Sequence, residues 1–388
     1  MFIHKNIKIL TWFNFLTDFR FYAPIAIIYF TKVTGSYALG MSVFSITMIS
    51  SAIFEVPTGF FSDYIGRKRT VILGSISSVM CVTLYAIGGS YLMLVLGAII
   101  EGLSRAFYSG NNEALLYDSL SDIGRRHKYH IYLGKTSSMF QVAGIASALI
   151  GGFIASWSFA LLMWLSVVPQ VVGLILSLRI IEPQKRGGEG NIYSHLSESI
   201  KHFLKNKKLR VLSLSSILGY STGEVSYQFQ AAFFNTLWPV WAVGLARTIS
   251  SASAALSFYS AGKVINKFKE IPLLIFGNLF GRFLNLTALF FVSIISPILM
   301  SLTSLLFGTI TVARENLLQK EFTENQRATM GSLNSLATSI FFGVFSLGIG
   351  FLADKIGGAK ALIIINVIQF IPIFLYLKLR SYSKNEKI

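Results

Sequence analysis

The sequence predicts an all-α integral membrane protein with twelve transmembrane helices in two six-helix bundles. Three observations carry this prediction. Of 388 residues, 53% are hydrophobic and only 13% are charged, about half the charged share of a soluble domain and too little to cover a water-facing surface. Apolar runs of the roughly 20 residues needed to cross a bilayer recur about twelve times. The basic residues gather in alternate connections between those runs. The same low polarity excludes an intrinsically disordered chain, and a single cysteine, Cys81, excludes an intrachain disulfide.

Taken in order, the first run centres on Tyr22. The residues before it, MFIHKNIKIL, lack a signal-peptide cleavage pattern, so this run is read as retained. Runs two and three centre on Met48 and Val79 and flank Arg67-Lys68-Arg69; runs four, five and six centre on Ser104, Ala143 and Val168. A long polar stretch from Glu182 to Arg210 divides the chain. Runs seven to twelve centre on Glu224, Ser250, Leu284, Ser304, Phe341 and Ile371. The expected organisation is an N-terminal bundle over 1–181, a linker over 182–209 and a C-terminal bundle over 210–388. Within the linker, Ile192, Leu196, Ile200, Phe203 and Leu204 follow helical spacing among Lys201, Lys205 and Lys207. This pattern fits a short amphipathic helix on an anionic leaflet, and equally a plain tether.

Lys5, Lys8, the Arg67–Arg69 run, Arg125, Arg126, Lys128 and the basic linker all fall on one side, whereas the other side has only Lys32, Lys355 and Lys360. Both termini and the linker are therefore expected to be cytoplasmic, in a cell (plasma) membrane. The net charge of +17 is then an orientation signal, and no nucleic-acid partner is expected.

The halves repeat at an offset near 200 residues. Gly59-Phe-Phe-Ser-Asp63 matches Gly262-Lys-Val-Ile-Asn266, Glu113-Ala-Leu-Leu116 matches Glu315-Asn-Leu-Leu318, Arg125 matches Arg327, and Gly152-Phe-Ile-Ala155 matches Gly350-Phe-Leu-Ala353. Repeats of this kind place a substrate site near the membrane midplane.

The segment Gly59-Phe-Phe-Ser-Asp63-Tyr-Ile-Gly66-Arg67-Lys68-Arg69 resembles motif A of the major facilitator superfamily. The resemblance implies that Gly59, Asp63, Gly66 and Arg67 take part in conformational gating. In the second copy Asn266 replaces the aspartate and Lys269 the glycine. Antiporter members carry a glycine-rich motif C on helix five. Gly134, Ala143, Ser147, Ala148, Gly151 and Gly152 keep small residues there, without the proline. Arg105 matches the arginine of motif B on helix four. The resemblance implies the twelve-helix fold, a monomer, and a central cavity lined by helices one, four, seven and ten.

Ionisable residues inside a bilayer cost a few kcal/mol or more and mark functional positions. Here they fall mainly on those four helices: Asp18 and Arg20 on the first, Glu101, Arg105 and Glu113 on the fourth, Glu224 on the seventh, Arg314 and Glu315 on the tenth. Glu101 and Arg105 are four apart and can pair, with Tyr108 and Asn112 continuing their face; Tyr220, Tyr227 and Gln228 share a face with Glu224. Asp18 and Arg20 are two apart, so on a continuous helix they point different ways. A carboxylate alternately buried and paired can carry a proton across. Asp18 and Glu224 are the first candidates for that role and Glu101 the third; each also fits a fixed interhelical salt bridge. Arg20, Arg105, Tyr108, Asn112, Tyr227, Gln228 and Arg314 are the candidate substrate-binding residues. Glu113 and Glu315, near the ends of their helices, fit gating or salt bridges to Arg125 and Arg327. Arg247 and Arg282 lie off the expected cavity and call for buried structural partners. The 33 Phe, 16 Tyr and 5 Trp suit an aromatic cavity for lipophilic cations, and equally a lipid-facing surface.

There is no P-loop, and the five histidines lack metal-site spacing. The expected protein is therefore a transporter and not an enzyme, with no cofactor or metal. Its expected partners are a small-molecule substrate, protons and the lipid bilayer. The first expectation is proton-coupled efflux of amphipathic or cationic compounds by alternating access. The alternatives are uptake of a sugar or organic anion by symport or facilitation, and a transport-inactive receptor or lipid-handling protein on the same scaffold.

Overall fold

The computed structural model describes residues 3–183, 203–322 and 327–385, and every regular element among them is helical. The chain divides into two compact units, Met1–Gly187 with Trp238–Thr248, and Gly188–Leu237 with Ile249–Ile388.

The first unit contains α1 (Ile3–Asp18), α2 (Ala26–Thr34), α3 (Tyr37–Ile65), α4 (Arg67–Ile87), α5 (Tyr91–Tyr108), α6 (Asn111–Asp122), α7 (Tyr129–Trp157) and α8 (Phe159–Leu178). Serines start three of them. The side chains of Ser36, Ser90 and Ser158 accept hydrogen bonds from the backbone N–H of Leu39, Met93 and Leu161, satisfying amides that a helix leaves unpaired at its N-terminus. Two predicted spans of this unit are split. The first is interrupted after Asp18, and a 3-10 turn at Ala23–Ile25 carries Pro24 near its start. Proline donates no backbone hydrogen bond and disfavours helical geometry at the residue before it. The fourth is interrupted at Ser109–Gly110, where Gly110 has φ +67°, a conformation open to glycine. The apolar face of α1 packs through Ile7, Leu10 and Phe13 onto Val71, Leu115, Leu116 and Leu120. Small residues allow closer approaches: a Cβ on Gly152 would come within 2.8 Å of Gly244 Cα, the kind of contact by which membrane helices associate.

The remaining helices are α9 (Lys207–Leu237), α10 (Val240–Phe268), α11 (Glu270–Phe290), α12 (Ser296–Leu302), α13 (Phe307–Glu321), α14 (Arg327–Ile356), α15 (Gly358–Ile368) and α16 (Ile371–Asn385). All belong to the second unit except the start of α10, which lies in the first. Leu209, Leu212, Leu274, Leu318, Tyr376 and Leu379 form the second unit's core.

Nine stretches among the described residues are long and apolar enough to cross a membrane. The other three predicted spans are helical but fall short for visible reasons. The first is split into helices of 16 and 9 residues. The seventh and eighth, α9 and α10, are rich in serine and carry Glu224 and Arg247 in their interiors. The predicted linker helix from Ile192 lies largely outside the described residues.

Motif A and its degraded copy share one backbone feature. Gly66 joins α3 to α4 at φ 97°, ψ 159°, and Lys269 joins α10 to α11 at φ 66°, ψ 162°. The second copy has lost the glycine and kept its conformation.

Candidate functional site

A cavity of about 400 Å³ lies within the first unit. The end of α1 and the break after it contribute Asn14, Thr17, Asp18 and Arg20. The fourth span contributes Arg105, Tyr108, Asn112 and Glu113 around its own break, and α7 contributes Thr136 and Phe140. Both helix breaks thus open onto the cavity. Helical geometry ends at Asp18, and Asp18 and Arg20 both line the cavity. They nonetheless diverge, as their spacing predicts: Asp18 is exposed to the cavity, and the Arg20 guanidinium turns to Glu101 and Ser78 on neighbouring helices.

The charges beside it form a connected set. Glu101, only 7% exposed, stands between two arginines. Arg20 Nη1 and Arg105 Nη2 each donate to Glu101 Oε1 at 2.9 Å, and Tyr85 Oη donates to Oε2 at 3.0 Å. Arg20 also donates through Nη2 to Ser78 Oγ and through Nε to the Thr17 carbonyl. Ser78 in turn donates to Gln170 Oε1 at 2.7 Å, and Gln170 Nε2 donates to the Leu16 carbonyl. The last carbonyls of α1, orphaned by the break, are therefore capped by side chains. The predicted Glu101–Arg105 pair is present, and Arg20 joins it.

Asp18 differs from Glu101. It is exposed to the cavity, and its carboxylate makes no hydrogen bond or ion pair among the described residues. Glu113 is likewise exposed on the cavity wall, and the salt bridge expected between Glu113 and Arg125 is not formed. Tyr108 Oη donates to Ser75 Oγ at 3.3 Å, so its hydroxyl faces a neighbouring helix. The Arg20–Glu101–Arg105 triplet carries one surplus positive charge, so with the carboxylates of Asp18 and Glu113 both ionised the set is one unit negative.

In the second unit, Glu224 Oε1 accepts from Gln228 Nε2 at 2.7 Å, and Tyr227 is half-buried. Arg314 is buried; its guanidinium lies 5.8 Å from the Tyr220 ring centre and its Nε 4.0 Å from a Glu315 oxygen. Glu315 itself is exposed. The side chain of Arg327, its expected partner, lies outside the described residues. None of these residues lines the first-unit cavity.

Motif A is tied down by partners the sequence did not indicate. Glu182 caps the start of α4, its two oxygens accepting from the backbone N–H of Arg67 at 2.7 Å and of Lys68 at 2.9 Å. A carboxylate is favoured at this end of a helix. A Cβ on Gly66 would approach Glu182 Oε1 to 2.9 Å, so the glycine makes room for the cap. Arg67 Nη1 donates to Ser62 Oγ at 2.7 Å and Arg67 Nε lies 3.7 Å from Asp118. Asn111 accepts from Ser62 and donates to the Arg67 carbonyl. Gly59 lies in α3 with open space where a Cβ would be. The side chain of Asp63 lies outside the described residues.

Arg247 is buried and donates to the Pro24 carbonyl at 3.2 Å, a structural partner as expected. Arg282 departs from that expectation: its Nε and Nη1 are buried without a hydrogen-bond partner among the described residues. The sequence reading also missed Asn14. It sits one helical turn before Asp18, and the four-residue spacing was the signal that could have found it.

Residues 9–341 match the Major Facilitator Superfamily. An uncharacterized MFS-type transporter of Methanocaldococcus jannaschii is 22% identical, with 99% of each chain covered. A Na(+), Li(+), K(+)/H(+) antiporter of Planococcus maritimus is 22% identical over 56% of this chain and 54% of its own. A crystal structure of a variant of the nucleoside transporter NupG shares the fold at a TM-score of 0.83. It is 12% identical, with 97% of this chain and 99% of that one covered.

Proposed function

The chain belongs to the Major Facilitator Superfamily, and from that premise we propose that this multi-pass membrane transporter exports cationic, amphipathic molecules in exchange for protons. The observation that carries the reading is the contrast between its two cavity-side carboxylates. Glu101 is neutralised by Arg20 and Arg105, whereas Asp18 faces the cavity with no ion pair among the described residues. An unpaired carboxylate in a low-dielectric site favours a counter-cation or a proton. If the two compete for Asp18, binding one releases the other, which is the chemistry of exchange.

Arg20 and Arg105 hold Glu101 fixed in this scheme, so Asp18 is the group that changes state. Leu10, Leu116, Leu133 and Phe140 provide an apolar wall for the hydrophobic part of a substrate. Glu224, paired with Gln228, is the second-half candidate for proton carriage. The Planococcus relative, described as a cation/proton antiporter, is in keeping with this reading. The motif A region, clasped by Glu182, is the proposed gate. The proposed setting is the cell membrane, with both termini and the linker cytoplasmic as the basic connections dictate. Uptake of an organic anion is the competing reading, and buried Arg314 is the residue that would serve it.

The test uses vesicles containing the protein and a trapped pH dye, under an imposed pH gradient. Adding a lipophilic cation to wild type is expected to move protons, and Asp18→Asn to abolish the movement while the protein stays folded. Proton flow on adding an organic anion, unchanged in Asp18→Asn, would reject the reading.

A further inference from the structure

Two asparagines that line the cavity have buried amide oxygens with no hydrogen-bond partner among the described residues. Asn14, 6% exposed, uses its Nδ2 to donate to the Thr136 carbonyl at 3.3 Å, and its Oδ1 is buried without a partner among the described residues. Asn112, just past the break at Gly110, also has a buried Oδ1 without a partner. Both residues line the cavity that Asp18 faces. An unsatisfied buried acceptor is uncommon and carries the desolvation penalty of a lost hydrogen bond. Rotation about an asparagine χ2 is soft, so either amide can turn its oxygen toward a ligand without repacking the helix, Asn14 giving up its 3.3 Å bond to Thr136 as it does so.

These acceptors restrict the kind of cation that fits. A quaternary ammonium satisfies the charge of Asp18 and leaves both amide oxygens orphaned. A protonated primary or secondary amine satisfies the charge and has N–H groups for the oxygens as well. A site with polar groups placed for a hydrogen-bonding ligand discriminates strongly against an analogue lacking the donors. Resting on the cation-export reading, we propose that the first-unit cavity recognises protonated amines through their N–H donors, with Asn14 and Asn112 as the specificity-determining residues beside Asp18.

The experiment titrates the full-length protein in detergent, by calorimetry at pH 7, with 4-phenylbutylammonium and its mono-, di- and trimethyl derivatives. All four carry one positive charge on the same apolar tail, while the number of N–H donors falls from three to none. Affinity is expected to drop along the series, by about tenfold or more between the primary and the quaternary ion. A site that reads charge and apolar surface alone gives the opposite trend, because each methyl adds hydrophobic area. In Asn14→Leu and, separately, Asn112→Leu, the ratio is expected to shrink toward one through loss of affinity for the primary amine. A flat or rising wild-type series would overturn the proposal and leave the cation reading standing. Absence of binding by all four ions would overturn the cation reading, and this inference with it. The wild-type series needs no variant, so a folding defect in either substitution does not blunt the test.

Discussion

Glu101 is the residue on which the cavity's charges turn. It is buried, and it accepts from Arg20, Arg105 and Tyr85 together. Removing one member of a buried ion pair strands the others, typically at a cost of about 3–5 kcal/mol. Glu101→Gln is accordingly expected to lower the thermal unfolding midpoint sharply, whereas Asp18→Asn, which breaks no ion pair, leaves it nearly unchanged. Thermal melts of both variants in detergent check this; equal midpoints would remove Glu101 from its structural role. At this scale the sequence was partly legible. The Glu101–Arg105 pair follows from a four-residue spacing within one helix. The Arg20–Glu101 contact joins residues 81 apart and needs the fold. Glu182 was unreadable for the same reason. It stands 115 residues from the amide it caps, and nothing in a local pattern points across that distance.

Among the elements, the helix junctions carry the strain. The conformation at Lys269, φ 66° and ψ 162°, is one that glycine adopts freely and other residues hold at a cost of order 1–3 kcal/mol. Lys269→Gly is expected to stabilise the protein by about that amount, raising the unfolding midpoint without changing transport. The repeat-related Gly66→Ala is expected to do the reverse, since its Cβ would press on the capping carboxylate of Glu182. Measuring the two midpoints against wild type decides both. Hydrophobic runs gave the approximate centres of the helices, because composition over roughly 20 residues is a robust signal. The breaks at Phe19–Tyr22 and Ser109–Gly110 were not foreseen. Pro24 and Gly110 are visible in the sequence, but proline and glycine are tolerated inside membrane helices, so their presence does not by itself announce an interruption.

For the whole molecule, the distribution of basic residues predicts an orientation with both termini cytoplasmic. A single cysteine replacing Lys360, in a Cys81→Ser background, is expected to react with a membrane-impermeant maleimide added to intact cells. One replacing Lys128 is expected to react only after the cells are opened. The converse pattern would invert the proposed topology. Cys81 is fully buried, so its removal frees the background without exposing a new site. The internal repeat and motif A were legible because each recurs or matches as a pattern of residue types. The unequal character of the halves was not. The acceptor-rich cavity with Asp18 lies in the first unit, and a buried arginine, Arg314, with the exposed Glu315 carboxylate 4.0 Å away, lies in the second. Only the three-dimensional neighbours of each charge distinguish them.

The interruption of the first span has a kinetic consequence. Because α1 stops at Asp18, the negative end of its dipole, equivalent to about half an elementary charge, lies at the cavity wall beside a carboxylate, and adds to the one unit of negative charge the set carries when Asp18 and Glu113 are ionised. Such a field draws cations inward over distances comparable to the Debye length, about 8 Å at physiological ionic strength. The association rate of a cationic ligand, followed by stopped-flow fluorescence, is expected to fall as salt is added, with the dissociation rate nearly constant. An uninterrupted first helix would put that dipole end at the far side of the bilayer and weaken the dependence of entry on salt.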